Sequence, residues 1–192
     1  MRIIAGSARR ISLEVVAPAT RPFLALARGA IFNSLAGHLP ESHVLDLYAG
    51  SGSLGLEALS RGASSGVFVE NSAATFQALR RNVEKCGFTQ VARLVKGDAL
   101  AEVELLASRI GGPEGLNERF DLVFIDPPFP GFGLTGPAGR RLGVALTELL
   151  SPGGQAVLRL EEGEQAPPVW PSFDLGWEKK YGRSHIYRYQ KK

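Results

Sequence analysis

The reading of the fold turns on residues 46–63, "DLYAGSGSLGLEALSRGA", where an apolar run ends in a burst of glycines and then resumes with a helical pattern. Gly50, Gly52 and Gly55 match the spacing G-x-G-x-x-G, the turn that joins a buried strand to a helix in dinucleotide-binding units. That spacing leaves two ligand classes open: a pyrophosphate on the helix N-terminus, or another adenosine-bearing cofactor. The flanking chain has to separate them.

Before the turn, "HVLDLY" (43–48) reads as a buried strand; after it, "SLGLEALSRG" reads as a helix with Gly62 at its C-terminal cap. "SGVFVE" (65–70) is a second strand, followed by an amphipathic helix with Ser72 as N-cap and Gly87 as stop. "VARLVKG" (91–97), a helix from "DALAEV", and "FDLVFID" (120–126) repeat the alternation, and "RRLGVALTELL", the turn "SPGG" and the strand "QAVLRL" complete it. Strands alternating with helices of this length imply a parallel sheet covered on both faces. "FDLGWEKKYG" and "RSHIYRYQKK" meet directly around Gly182, and so short a join makes them antiparallel. The expected fold is α/β: a doubly wound, Rossmann-like sheet of seven strands, of the class I methyltransferase type, closed by an antiparallel C-terminal hairpin. An NAD-binding sheet stays parallel at that end. Residues 1–40 are expected as an appendage on a domain spanning 41–192: two short strands, "RIIAG" and "ISLEVV", forming a hairpin, and a helix over "RPFLALARGAIFNSLAGHL" (21–39) entered through Pro22.

Composition narrows the class. The chain has 192 residues, 44% apolar and 21% charged, enough for one substantial core. No apolar run reaches the ~20 residues that span a bilayer. A single cysteine, Cys86, allows no internal disulfide and fits a reducing cytoplasm, where it is expected to be structural. The net charge of +3 is uneven, because Arg2, Arg9, Arg10, Arg21 and Arg28 crowd one end and Lys179, Lys180, Arg183, Arg188, Lys191 and Lys192 the other. Basic ends around an acidic middle suggest a polyanionic partner.

Ligands of a doubly wound sheet bind beyond the carboxyl ends of its strands. Here the strands end in Asp46 to Gly52, Glu70, Asp98 and Asp126. An acidic rim suits a sulfonium cation with ribose and amino groups better than a pyrophosphate. Gly50 and Gly52, with Ser51 between them, are expected to bring the backbone close to the cofactor. Glu70, with Asn71 beside it, has the spacing of a ribose-binding carboxylate, which suits NAD equally well. Asp46 needs a donor, either the cofactor's amino-acid end or nearby loop amides. Asp98, next to Ala99, can accept from an adenine amine, cap the following helix, or do both.

"FIDPPF" (124–129) points to the reaction. The lone pair of an exocyclic base amine is delocalised into its ring, so attack on a methyl group requires the lone pair to be redirected. The carboxylate of Asp126 and the carbonyl of Pro127 can each accept one amine hydrogen and so aim it. Pro127 and Pro128 stiffen the loop, and Phe129 offers a face for a base taken out of its helix. His38, His43 and His185 lack metal-ligand spacing, and no metal is expected.

With these residues in view, the order D-x-x-x-G-x-G, strand-end Glu, G-D-A and D-P-P-F resembles class I methyltransferases acting on base amines. "MRIIAG", "TRP", "IFNSL" and "LDLYAGSGSLGLEALSRGA" more narrowly resemble the RsmD-type enzymes, bacterial 16S ribosomal RNA guanine-N2 methyltransferases. The resemblance implies that Gly50, Gly52, Glu70 and Asp98 hold S-adenosylmethionine, that Asp126, Pro127 and Phe129 form the catalytic loop, and that Arg2, Arg9 and Arg10 help hold RNA. After "TRP", Ala25 and Gly29 stand where the family commonly has acidic residues, while Arg28 keeps its place. The expectation is a cytoplasmic, monomeric enzyme that uses S-adenosylmethionine and acts on ribosomal RNA or the small subunit. The alternatives are an adenine-N6 DNA methyltransferase, an NAD-dependent oxidoreductase, and a non-catalytic RNA-binding module.

Overall fold

Strand order places the site. A computed structural model describes residues 1–16, 25–110, 119–128, 136–161 and 169–192. Its strands are β1 (His43–Leu47), β2 (Ser65–Glu70), β3 (Ala92–Lys96), β4 (Phe120–Ile125), β5 (Leu150–Glu161), β6 (Phe173–Tyr181) and β7 (Ser184–Lys191). They form one sheet in the order β3-β2-β1-β4-β5-β7-β6. β1 through β5 run parallel, and β7 inserts antiparallel between β5 and β6. The order reverses between β1 and β4, so a crevice opens beyond their carboxyl ends.

Helices cover both faces: α1 (Ala25–Ser34), α2 (Gly55–Ser60) and α3 (Ala73–Cys86) on one, α4 (Ala99–Ser108) and α5 (Pro137–Leu149) on the other. Alternation along β1 divides the two cores. Val44 packs with Ile31, Phe32, Leu56 and Phe68, while Leu45 and Leu47 pack with Val103, Leu142 and Leu146. The expected caps are in place. Ser72 Oγ accepts from the Thr75 amide at the start of α3, and Gly87 closes that helix in the left-handed region. Asp98 caps α4.

Three expectations change. The N-terminal segment is no hairpin of two strands: a single bridge, Arg2 to Ser12, joins its ends. Gly6 and Arg10 take positive φ and turn the chain; the Ile3, Arg10 and Leu13 amides bond across to the facing arm, while those of Ile4, Ala5 and Ala8 go to α2. Ile3, Ala8 and Leu13 share one core with α1, α2 and β2, so residues 1–16 are built into the sheet's own packing. β5 begins at Leu150 and takes in the "SPGG" expected as a turn. Its register against β4 jumps from Phe120↔Leu150 to Leu122↔Gln155, an irregularity that absorbs Pro152 and Gly153. The helix expected through Leu39 stops at Ser34, followed by a 3-10 turn at Ala36–His38. Pro22 lies outside the described residues.

Candidate active site

A cavity of about 530 Å³ opens at the switch point, lined in part by Tyr48, Gly50, Glu70, Asp98, Asp126 and Pro128. Its size is that of a small-molecule or cofactor pocket. Asn71 and Ala99 also line it. The strand ends after β1, β2, β3 and β4 therefore converge on one space.

The loop after β1 is held from several sides. Glu70 Oε2 accepts from the Gly50 amide at 2.9 Å, and Oε1 accepts from the Ser72 amide at 2.7 Å. This carboxylate ties the glycine loop to the start of α3. Each oxygen keeps a lone pair, so a hydroxyl can still be bound. Asp46 is 1% exposed, and its Oδ2 accepts from the Gly55 amide at 2.9 Å, satisfying the N-terminus of α2. Burial, with Asp126 and Glu70 close by, pushes the Asp46 carboxyl up to about 8, against the pull of the Gly55 bond. Asp46 thus sits behind the loop.

The glycines divide in the same way. At Gly50, φ is 57° and the nearest atom a Cβ would meet is 3.9 Å away, so the backbone faces open space. At Gly52, φ is 82° and a Cβ would stand 2.6 Å from Leu79 Cδ1. A Cβ on Gly55 would overlap the Phe68 ring. Gly50 borders the cavity, whereas Gly52 and Gly55 make room for core side chains, and the Ser51 carbonyl accepts from Asn82. Tyr48, which lines the cavity from the same loop, takes φ 64°, a strained conformation of the kind that collects at functional sites.

Asp98 Oδ1 accepts from the Leu100 and Ala101 amides, both at 3.0 Å, while the residue also lines the cavity. Capping and facing the ligand space coexist here.

The loop after β4 carries the other carboxylate. Asp126 Oδ1 accepts from Arg159 Nε at 2.6 Å. Burial holds the Asp126 carboxyl above the usual carboxylate range, and the Arg159 charge and hydrogen bond offset only part of that rise. Pro127 is buried and Pro128 exposed at the cavity. Phe129 and Arg21 lie outside the described residues.

The arginines expected on RNA separate. Arg2, Arg9 and Arg10 are exposed on the N-terminal turn. Arg28 is only 2% exposed, and its Nη2 donates to the Arg2 carbonyl. Its Nε and Nη1 have no hydrogen-bond partner among the described residues, and burial lowers its pKa. Arg28 is therefore placed inside the protein, under the N-terminal turn and away from a docking surface.

Sequence reasoning missed two charged residues. Glu57 is fully buried; its carboxylate accepts from the Ile4 and Ala5 amides and pairs with Arg61 at 2.7 Å. With Ser60, it fixes the basic turn onto α2. Arg159 is the other. A lone charge inside an apolar run, as in "LGLEALS" or "QAVLRL", has to find a buried partner, and that was the available signal.

The strand order, the antiparallel end and the cavity at the switch point define the fold of class I methyltransferases. An RNA methyltransferase from Salinibacter ruber, solved in complex with S-adenosyl-L-homocysteine, shares it at TM-score 0.60 and 18% identity, covering 88% of this chain and 93% of that one. The chain itself belongs to the family described as Conserved hypothetical protein 95, the RsmD family, whose model matches residues 1–190. Ribosomal RNA small subunit methyltransferase D of Escherichia coli K12 is 39% identical over 132 residues, which span 67% of this chain and 60% of that protein's length. A solved hypothetical protein from Thermus thermophilus is 29% identical at TM-score 0.79, with 98% of both chains covered.

Proposed function

We propose that the protein is an S-adenosylmethionine-dependent methyltransferase that modifies the exocyclic N2 amine of a guanine in 16S ribosomal RNA, in the bacterial cytoplasm. One observation carries the reading: the cavity joins the glycine loop and two acidic strand ends, Glu70 and Asp98, to the Asp126–Pro127–Pro128 loop. The donor set fits the cofactor. Glu70 and Asp98 are acceptors placed for hydroxyl and amine hydrogens, and a rim of carboxylates favours a cation and disfavours a pyrophosphate. The bound cofactor supplies an electrophilic methyl group on a sulfonium.

The chain's own part is orientation. Asp126 and the Pro127 carbonyl accept the two amine hydrogens, which turns the nitrogen lone pair out of the ring and toward the methyl group. A fixed carboxylate also stabilises the positive charge that develops on that nitrogen, without reorganisation at the moment of reaction. The proline pair holds the loop rigid and contributes no competing N–H. Exposed Arg2, Arg9 and Arg10, on the turn anchored through Glu57 and Ser60, supply phosphate contacts. The name of the Escherichia coli relative agrees with an RNA substrate.

Transfer of tritium from methyl-labelled S-adenosylmethionine tests this, with unmethylated small subunits, naked 16S RNA and duplex DNA as acceptors. The expected result is labelling of one of the first two by the wild type and loss of labelling in Asp126→Ala. Equal labelling by both proteins would sink the mechanism, and labelling of DNA alone would reassign the substrate.

A further inference from the structure

Arg159 lies on β5, one residue beyond the last parallel pair with β4, Ile125↔Leu158. That register sets it level with Asp126. Its neighbours Leu158 and Leu160 point into the core under α4 and α5, whereas Val157 packs on the opposite face with Phe124. Alternation therefore puts Arg159 on the face that carries Asp46 and Asp126. The two side chains meet at 2.6 Å and are only 10% and 19% exposed. Across β7, Arg159 stands opposite the fully buried Ile186. Such a pair is costly to assemble and strongly destabilising to break from one side, so its geometry is fixed.

We propose that Arg159 is a positioning residue for the methyl-transfer reaction: by holding Asp126 through Oδ1, it keeps that carboxylate ionised and turned so that its remaining lone pairs accept the target amine. The proposal rests on the function proposed above and extends it to a residue two strands from the glycine loop. The electrostatic need is concrete. Asp126, mostly but not fully buried, lies close to Asp46 on β1, and Asp46 in turn feels Glu70 at the end of β2. Three acids at one rim favour protonation of the buried ones, and a protonated Asp126 would present an O–H where the amine needs an acceptor. A cation against Asp126 removes that conflict. It also makes the carboxylate a weaker base, so that Asp126 serves as a hydrogen-bond acceptor through the transfer.

The test compares Arg159→Met, which keeps length and loses charge, with Arg159→Lys, which keeps charge and loses the planar fork. Calorimetric binding of S-adenosylhomocysteine reports that each variant is folded. An activity-independent readout is the titration of the Asp126 carboxyl carbon by NMR; a kinetic one is the acid limb of kcat. A group required as its anion supports activity above its pKa, so loss of the Arg159 charge moves that limb to higher pH. For Arg159→Met the expected result is a fall in kcat of roughly tenfold or more at neutral pH, a limb displaced upward by about one unit, and little change in cofactor affinity. Arg159→Lys restores the limb and most of the rate.

An Asp126 titration unmoved in Arg159→Met, or one that moves while the limb and kcat stay at wild-type values, would overturn the proposal. Should Arg159→Met fail to bind S-adenosylhomocysteine, Arg159→Lys decides: a limb shifted in spite of the retained charge contradicts it. A wild type that labels no RNA defeats the underlying function instead, and the carboxyl titration still reads the pair.

Discussion

The loops after β1 and β4 begin alike and end differently. Each follows a central parallel strand with an aspartate near its end on the same face of the sheet, Asp46 within β1 behind the glycine loop and Asp126 just after β4 at the cavity. Asp46 meets a backbone amide, Gly55, and its carboxyl is pushed up to about 8. Asp126 meets a guanidinium, Arg159. One acid ends up close to neutral behind a loop packed by Leu56, Leu79 and Phe68; the other stands at the cavity against a guanidinium. The partner, more than the residue type, distinguishes the carboxylate that shapes the loop from the one proposed to direct the transfer.

The sharpest way to break this contrast is to remove each acid. Asp126→Ala is expected to lower kcat by about 10²–10³-fold, the cost of losing one fixed group aimed at developing charge. Binding of S-adenosylhomocysteine, followed by calorimetry, stays near the wild-type value. A comparable loss in affinity would place Asp126 in cofactor binding instead.

On the β1 side the effects fall on stability. Gly52→Ala puts a Cβ against Leu79 and Leu56 in a left-handed conformation, and is expected to cost about 1–3 kcal/mol in urea unfolding. An unchanged midpoint would mean that the loop repacks freely. Asp46→Asn keeps an acceptor for Gly55 and removes the titration. The folded Asp46 holds its proton up to about 8, while the unfolded one releases it near 3.8. The folded state therefore binds more protons between those values, and wild-type stability falls as pH rises through that window, at no more than about 1.4 kcal/mol per pH unit. Unfolding curves from pH 5 to 8 should show Asp46→Asn gaining on the wild type as pH rises; parallel curves would contradict the assignment. The smallest effect expected is from Asp98→Ala, which loses a helix cap worth about 1 kcal/mol and an acceptor at the cavity. Weaker S-adenosylhomocysteine binding in this variant separates the second role from the first.

Much of this contrast was legible in the chain. Hydrophobic runs and caps marked β1 to β4, α3 and α4, because those elements are set by local signals such as Ser72, Gly87 and Asp98. "FIDPPF" marked the loop whose Asp126 and Pro128 line the cavity. What stayed hidden depends on contacts distant in sequence. The partner of Asp126 comes from β5, 33 residues later. Glu57 serves amides more than 50 residues earlier, which lays the N-terminal turn on α2. Arg28 carried the right charge for RNA, but only the packing of α1 beneath the N-terminal turn shows it to be buried. The glycine spacing held as a pattern, yet its physical reasons divided between a cavity-facing Gly50 and core-facing Gly52 and Gly55.

The central claim is that the acid after β4 directs methyl transfer to a guanine amine. Its most direct measurement is mass-spectrometric analysis of nucleosides from unmethylated small-subunit RNA incubated with the wild-type protein and S-adenosylmethionine. The account predicts N2-methylguanosine at one position, absent with Asp126→Ala. Methyl groups on adenine N6 or on a ring carbon, or N2-methylguanosine formed equally well by the variant, would contradict it.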